Sequence, residues 1–313
     1  MNLATLLDPD KTLFIIGNGF DIAHGVASQY TAFRDFLEKR HSNVLSLFNF
    51  YINDENLWSD FETALGKLDV NAMINEVNLD MWLDDYEAYD GESSVASFYA
   101  AIESAASPAI QLSTELPEEF RRWVETLQVG NEKRPYEGMI VDGKVLNFNY
   151  TEFIETLYGV SSEHVCYIHG CRRKVKGQPK EELIIGHRPE EIIAKNIQLK
   201  RSKLLLPSHK RSLIKMAANM ASEYLSWYDS STTKNCQKII ENHREFFDGL
   251  SGITDVVVIG HSLSPVDWDY FREVIKRASP EGWHISYHKD EDLKRVEAFV
   301  NEMQIRDYKT FRV

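Results

Sequence analysis

The sequence predicts an α/β protein: a Rossmann-like, mostly parallel sheet carrying a large helical insertion. Three observations predict it. Four short apolar runs, each rich in β-branched or aromatic residues, end in residues that donate or accept hydrogen bonds, as buried parallel strands do. The first run breaks into a glycine turn at Gly17-Asn18-Gly19 and then into a polar helix start. Roughly a hundred residues of mainly helical spacing separate the first run from the second.

Taken in order, Leu13-Phe14-Ile15-Ile16 is the first strand. The turn after it aims backbone N–H groups and a positive helix end at one point, which suits an anion such as a phosphate. Gly17 and Gly19 supply two glycines of the dinucleotide fingerprint, and Gly25 lies too far along to be the third. A tight turn without a ligand is the competing reading. Residues 31–134 read as a helical insertion or lid, with Phe33, Phe36 and Leu37 at core spacing. Trp58 and Glu62, four apart, share a helix face in this reading, where they close over a pocket or Glu62 pairs with a basic side chain. The acidic run Asp80, Asp84, Asp85, Glu87, Asp90 and Glu92 has no calcium-loop spacing and reads as a solvated face. Glu118 to Trp123 forms another amphipathic helix, and Asn131 to Gly143 links back to the sheet.

Residues 144–313 supply the rest of the sheet and its flanking helices. The second strand starts at Lys144 and ends in Asn147-Phe148-Asn149-Tyr150-Thr151; the third starts at His164 and ends in His169-Gly170. Glu182 to Arg188 reads as a short strand ending in Gly186-His187, and Ala217 to Phe247 as helix with Tyr224, Trp227 and Tyr228 as core anchors. The fourth strand, from Asp255, ends in Gly260-His261-Ser262; a strand over Trp283–Tyr287 and a charged helix over Asp290–Glu302 follow. Ligands of open α/β sheets sit outside the carboxyl ends of the strands. Gly17, Asn18, Gly19, Asn149, Thr151, His169, Gly260 and Ser262 therefore converge on one crevice.

The 313-residue chain is long enough for one large α/β domain with an insertion, or for two domains. Its formal net charge of −13 argues against non-specific nucleic-acid or membrane-surface binding. The basic stretch from Arg172 to Lys215 reads as a solvated face, with an electrostatic guide for a phosphate or a patch for another subunit as the sharper readings. No apolar run approaches the ~20 residues of a membrane helix, and Met1 to Lys11 lacks a secretory leader. Cys166, Cys171 and Cys236 form no Cys-x-x-Cys pair, which fits reduced thiols and gives no zinc site. These features predict a cytoplasmic protein without a metal.

The segments Ile15-Ile16-Gly17-Asn18-Gly19-Phe20-Asp21, Trp58 with Glu62, Asn147 to Thr151, Ile168-His169-Gly170, and Gly260-His261-Ser262-Leu263 with Asp267 and Tyr270-Phe271 resemble the bacteriophage abortive-infection AbiH family. They occur in the family's order across nearly the whole chain. The series is also similar to a divergent sirtuin-like NAD fold. That resemblance implies NAD as ligand or substrate, Gly17 and Gly19 at its phosphates, Asn149 and His169 at the chemistry, and Gly260 and Ser262 at the adenosine half. A phage-derived trigger and a second copy of the chain are further candidate partners, although the sequence itself specifies neither. Two departures speak against protein deacetylation: the paired zinc-ribbon cysteines are absent, and Phe148 and Thr151 stand where deacetylase-type members have Gln and Asp.

The expected reaction is hydrolysis of NAD to nicotinamide and ADP-ribose. His169 serves as general base, and Asn149 fixes a ribose hydroxyl or the attacking water. Asp21 and Asp269 are read as helix caps or as orienting groups, with the cap preferred for Asp21. His261 is read as a second polar group at the site or as a structural histidine, and His187 and Arg188 as further phosphate contacts. The alternatives are a nucleotide sensor without turnover, a nucleic-acid enzyme and a hydride-transfer dehydrogenase. The last is weakened by the missing third glycine.

Overall fold

The computed structural model describes residues 7–40, 42–69, 72, 92–130, 133–174, 179–189, 219, 223 and 226–313. The acidic run from Asp80 to Asp90, Lys176, the basic residues from Lys200 to Lys215, and Tyr224 lie outside the described residues.

Six strands form one sheet: β1 (Thr12–Ile16), β2 (Lys144–Asn147), β3 (Val165–Tyr167), β4 (Asp255–Ile259), β5 (Gly282–Tyr287) and β6 (Tyr308–Arg312). Every pairing is parallel and the order is β3-β2-β1-β4-β5-β6. This is the doubly wound order of dinucleotide folds, with the switch point between β1 and β4. The fold class is α/β with a Rossmann-like parallel sheet. β1 is one of the two central strands, and all of Leu13, Phe14, Ile15 and Ile16 are fully buried. An unbroken apolar run is what a strand covered on both faces requires.

Helices among the described residues include α1 (Asn18–Ala23), α2 (Tyr30–Arg40), α3 (Ser42–Tyr51), α4 (Phe61–Leu65), α5 (Glu92–Thr126), α6 (Phe153–Tyr158), α7 (Cys236–Asn242), α8 (Arg244–Asp248), α9 (Trp268–Ala278) and α10 (Asp292–Glu302). The chain divides into two compact units: one of Met1–Phe33, Arg121–Ile184 and Asn235–Val313, the other of Arg34–Phe120 and Ile185–Lys234. In the first, α9 buries Tyr270, Phe271 and Val274, spaced to form one helix face. Phe271 meets Phe299 of α10 edge-on at 4.8 Å, and both pack with Leu13, Ile15, Val256, Val258 and Ile285 of the sheet. In the second, Trp58 stacks on Phe61, and the Tyr228 hydroxyl donates to the Leu65 carbonyl at 2.8 Å.

Several local expectations are corrected. Trp58 lies in a turn ahead of α4, because Asp60 stands at the helix N-cap, so Trp58 and Glu62 do not share a helix. Glu118 to Trp123 is helical as expected, within the long α5, which continues through Pro108 and Pro117. Glu182 to Arg188 is no strand: its only ladder contact among the described residues is one bridge from His187 to Thr233. The expected helix over 217–247 is interrupted at 233–235, where the Asn235 side chain caps α7 by accepting from the Lys238 N–H at 3.0 Å. β6 is a strand that apolar patterning does not mark.

Candidate active site

The site grows from the loops that leave β1, β2, β3 and β4 at their carboxyl ends. Gly17 and Gly19 are glycines because the β4 loop runs against them. A Cβ on Gly17 would lie 2.5 Å from His261 Cα, and one on Gly19 would lie 2.8 Å from Gly260 Cα. The Gly17 N–H donates to the Ile259 carbonyl at 2.9 Å, and the Gly19 N–H to the Gly260 carbonyl at 2.7 Å. Gly260 itself takes φ +63°, in the left-handed region that favours glycine. Its N–H donates to the Ser286 hydroxyl at 2.8 Å. The Asn18 side chain donates to the Ser28 carbonyl at 2.9 Å.

Asp21 is not the cap of α1. Gly17 occupies the N-cap position, and Asp21 sits inside the helix, 2% exposed, with its carboxylate turned to the β2 loop. Asn149 Nδ2 donates to Asp21 Oδ1 at 2.9 Å and to the Gly17 carbonyl at 3.2 Å. Thr151 Oγ1 donates to Asp21 Oδ2 at 2.6 Å. The Asn149 backbone is set by its N–H, which donates to Asn147 Oδ1 at 2.9 Å. Burial pushes the Asp21 carboxyl up to about 7, against the opposing effect of the Thr151 hydrogen bond and the Arg172 charge. The position of α1 is fixed at its far end by His24. Its Nδ1–H donates to the Phe20 carbonyl at 2.7 Å, so Nε2 accepts from the Tyr158 hydroxyl at 2.8 Å.

A second group adjoins the first through Phe148, the residue before Asn149. The Phe148 ring meets His261 edge-on at 4.4 Å and His169 edge-on at 5.3 Å. His169 follows β3. Gly170 behind it takes φ +84° at a point where a Cβ would fall 2.1 Å from the Glu182 carbonyl oxygen. His169 Nε2 lies 3.3 Å from the Tyr270 hydroxyl and 3.8 Å from Asp267 Oδ1. His261 Nε2 lies 3.6 Å from Asp267 Oδ2. The Leu263 N–H donates to His261 Nδ1 at 2.9 Å, so the neutral ring carries its proton on Nε2, facing Asp267. One carboxylate thus faces two imidazoles, whose side chains are each 3% exposed.

The structure therefore brings Gly17, Asp21, Asn149 and Thr151 into one hydrogen-bonded group, and His169 and His261 into an adjoining one. Ser262 is exposed, and its hydroxyl accepts from the Ser264 N–H at 3.4 Å. Asp269 is also removed from this group and pairs with Arg272 at 2.7 Å. Asp267 and Tyr270 are the polar members that sequence reasoning left without a role. Asp267 belonged to the recognised segment, and its distance from a strand end carried no chemical signal of its own. Within the basic stretch, Arg172 pairs with Glu152 at 2.9 Å, Arg173 with Glu155, and Lys174 and Lys180 both with Glu125. These charges are matched within the sheet-bearing unit. His187 is fully buried, its Nδ1 2.7 Å from the Arg188 carbonyl.

A cavity of about 220 Å³ opens at the other end of the sheet, lined by Asp255, Glu281, His284 and Lys309, away from His169 and His261. Among the described residues no group of three His, Cys, Asp or Glu side chains is arranged to hold a metal ion. Among them, too, no helix is long and apolar enough to cross a membrane.

A family model described as bacteriophage abortive infection AbiH matches residues 13–287, a span that takes in every residue of both groups. No curated protein and no solved structure matches the chain.

Proposed function

We propose that this chain, which belongs to the bacteriophage abortive infection AbiH family, acts in phage defence by binding NAD at the carboxyl ends of β1 to β4 and hydrolysing it. The observation that carries the reading is the Asp267 carboxylate facing Nε2 of both His169 and His261 beside a doubly wound switch point. A carboxylate so placed stabilises an imidazolium and favours proton acceptance by its histidine.

In the proposed reaction, water adds its oxygen to C1′ of the nicotinamide ribose as the C1′–N bond breaks. The bonding pair leaves with nicotinamide, which becomes neutral, and the proton of the attacking water passes to His169. The products are nicotinamide, ADP-ribose and one proton. Asn149 has its amide nitrogen engaged by Gly17 and Asp21, so its side-chain carbonyl is the group that accepts from a ribose hydroxyl or from the water.

The test is chromatography of NAD incubated with the purified chain. Nicotinamide and ADP-ribose are expected from the wild type and not from His169→Ala or Asn149→Ala. A second reading, a nucleotide sensor without turnover, is favoured by the burial of both histidine side chains, since binding at the strand ends does not require contact with them. Intact NAD with and without phage lysate, together with NAD-dependent thermal stabilisation, selects the sensor. Intact NAD with no thermal shift overturns both readings.

A further inference from the structure

β6 is the last strand of the sheet among the described residues, and Tyr308, Lys309, Thr310 and Arg312 on it are exposed. Its ladder to β5 uses alternate residues. The Trp283 N–H donates to the Asp307 carbonyl at 3.1 Å, and the Val313 N–H donates to the Tyr287 carbonyl at 3.0 Å. In a parallel pair this alternation turns the backbone groups of 307, 309, 311 and 313 toward β5. The N–H and C=O groups of Tyr308, Thr310 and Arg312 therefore point to the outer edge. An edge of this kind is a template for another strand.

We propose that two copies of this chain pair antiparallel along β6, with the twofold axis at Thr310. That register sets Thr310 against itself, Tyr308 against Arg312 and Lys309 against Phe311. Its hydrogen-bonded pairs fall on the three residues whose backbone groups face outward, and each such pair exchanges two N–H···O bonds. Both mixed pairs oppose a cation and an aromatic ring, a favourable cross-strand combination. The neighbouring registers are worse. An axis at Lys309 opposes two ammonium groups, and an axis at Phe311 leaves Tyr308 without a partner in the strand. Lys and Arg on an edge ordinarily deter pairing. In the Thr310 register neither meets a like charge, so the strand is complementary to itself. The sheet then runs continuously through both copies.

Sedimentation velocity on the full chain over a wide concentration range tests this. A dimer is expected. Thr310→Pro deletes the outward N–H at the axis and leaves the ladder to β5 intact, so it is expected to give a monomer that melts as the wild type does. Tyr308→Lys sets like charges opposite each other and is expected to weaken the dimer roughly tenfold or more, about 1.4 kcal/mol. Thr310→Cys places two thiols across the axis at a Cα separation of about 5.5 Å, within disulfide reach, and mild oxidation is expected to give a covalent dimer. Arg312→Cys sets its own copies roughly 14 Å apart and is expected not to cross-link. A wild-type monomer at all concentrations overturns the proposal. So does a dimer that persists in both Thr310→Pro and Tyr308→Lys, or one in which Thr310→Cys fails to cross-link.

Discussion

Asn149, just beyond β2, donates its side-chain amide to the carboxylate of Asp21, inside α1, at 2.9 Å. That bond joins the β2 loop to α1 at a carboxyl group that burial holds up at about 7. The folded-state value lies above the ordinary 3.8. The stability contributed by protonation is therefore fully present below the ordinary value and is lost as the pH rises through about 7. Thermal melts of the wild type and Asp21→Asn at a series of pH values read this. Acidification from slightly alkaline to mildly acidic pH is expected to raise the wild-type midpoint relative to the variant, and parallel curves would count against it.

The glycines at the switch point are expected to differ sharply from a glycine in open space. Gly17→Ala drives a methyl group to 2.5 Å from His261 Cα, where backbone has to give way. A loss of about 3 kcal/mol is expected in urea unfolding. Gly159→Ala meets nothing within 4 Å and bears only the strain of φ +71°, so about 1 kcal/mol is expected. Equal losses at the two positions would remove the close approach as the reason for Gly17.

Lys234 is fully buried and its ammonium lies 2.9 Å from Glu62, which is the pairing open to Glu62 from sequence. Removing either partner alone leaves a desolvated charge. Lys234→Met and Glu62→Leu are each expected to cost about 3–5 kcal/mol. The double variant is expected to recover most of that loss, giving a strong coupling in a double-mutant cycle. Additive losses would show that the two charges act separately.

All three cysteines are buried, and burial pushes the Cys166 thiol up to about 12 and the Cys171 thiol up to about 11. Thiolate is the reacting form. A thiol reagent at mildly alkaline pH is expected to label the folded chain at a rate set by unfolding, and to label it rapidly in denaturant. Fast labelling under native conditions would contradict this.

The strands legible in sequence are those that bury at least one apolar face. β1 to β4 are apolar runs, and Trp283 to Tyr287 alternates around the apolar Trp283 and Ile285. β6 escaped because Tyr-Lys-Thr-Phe-Arg buries no face. Leu183 and Ile185 misled in the opposite direction: both are buried, yet their backbone joins no ladder among the described residues. At the candidate site, glycines and polar residues directly after strands could be read off, since their location follows from strand polarity. The partner of Asp21 could not, because its acceptors' donors come from a loop 128 and 130 residues away. Asp267 was opaque for the same reason. Its contacts with His169 and His261 follow from how the β4 loop folds back, and local spacing does not encode that.

The order of the strands also governs when the protein can come into being on the ribosome. β1 is made first, but β2 emerges roughly 130 residues later and β4 roughly 240 residues later. At about 5–20 residues per second, its apolar side chains wait on the order of 10–50 s for the second of these neighbours. A nascent or truncated chain lacking β4 has no His261, no Asp267 and no closed switch point. It is expected to engage chaperones and to carry none of the proposed chemistry, which therefore waits on synthesis of the β4 loop.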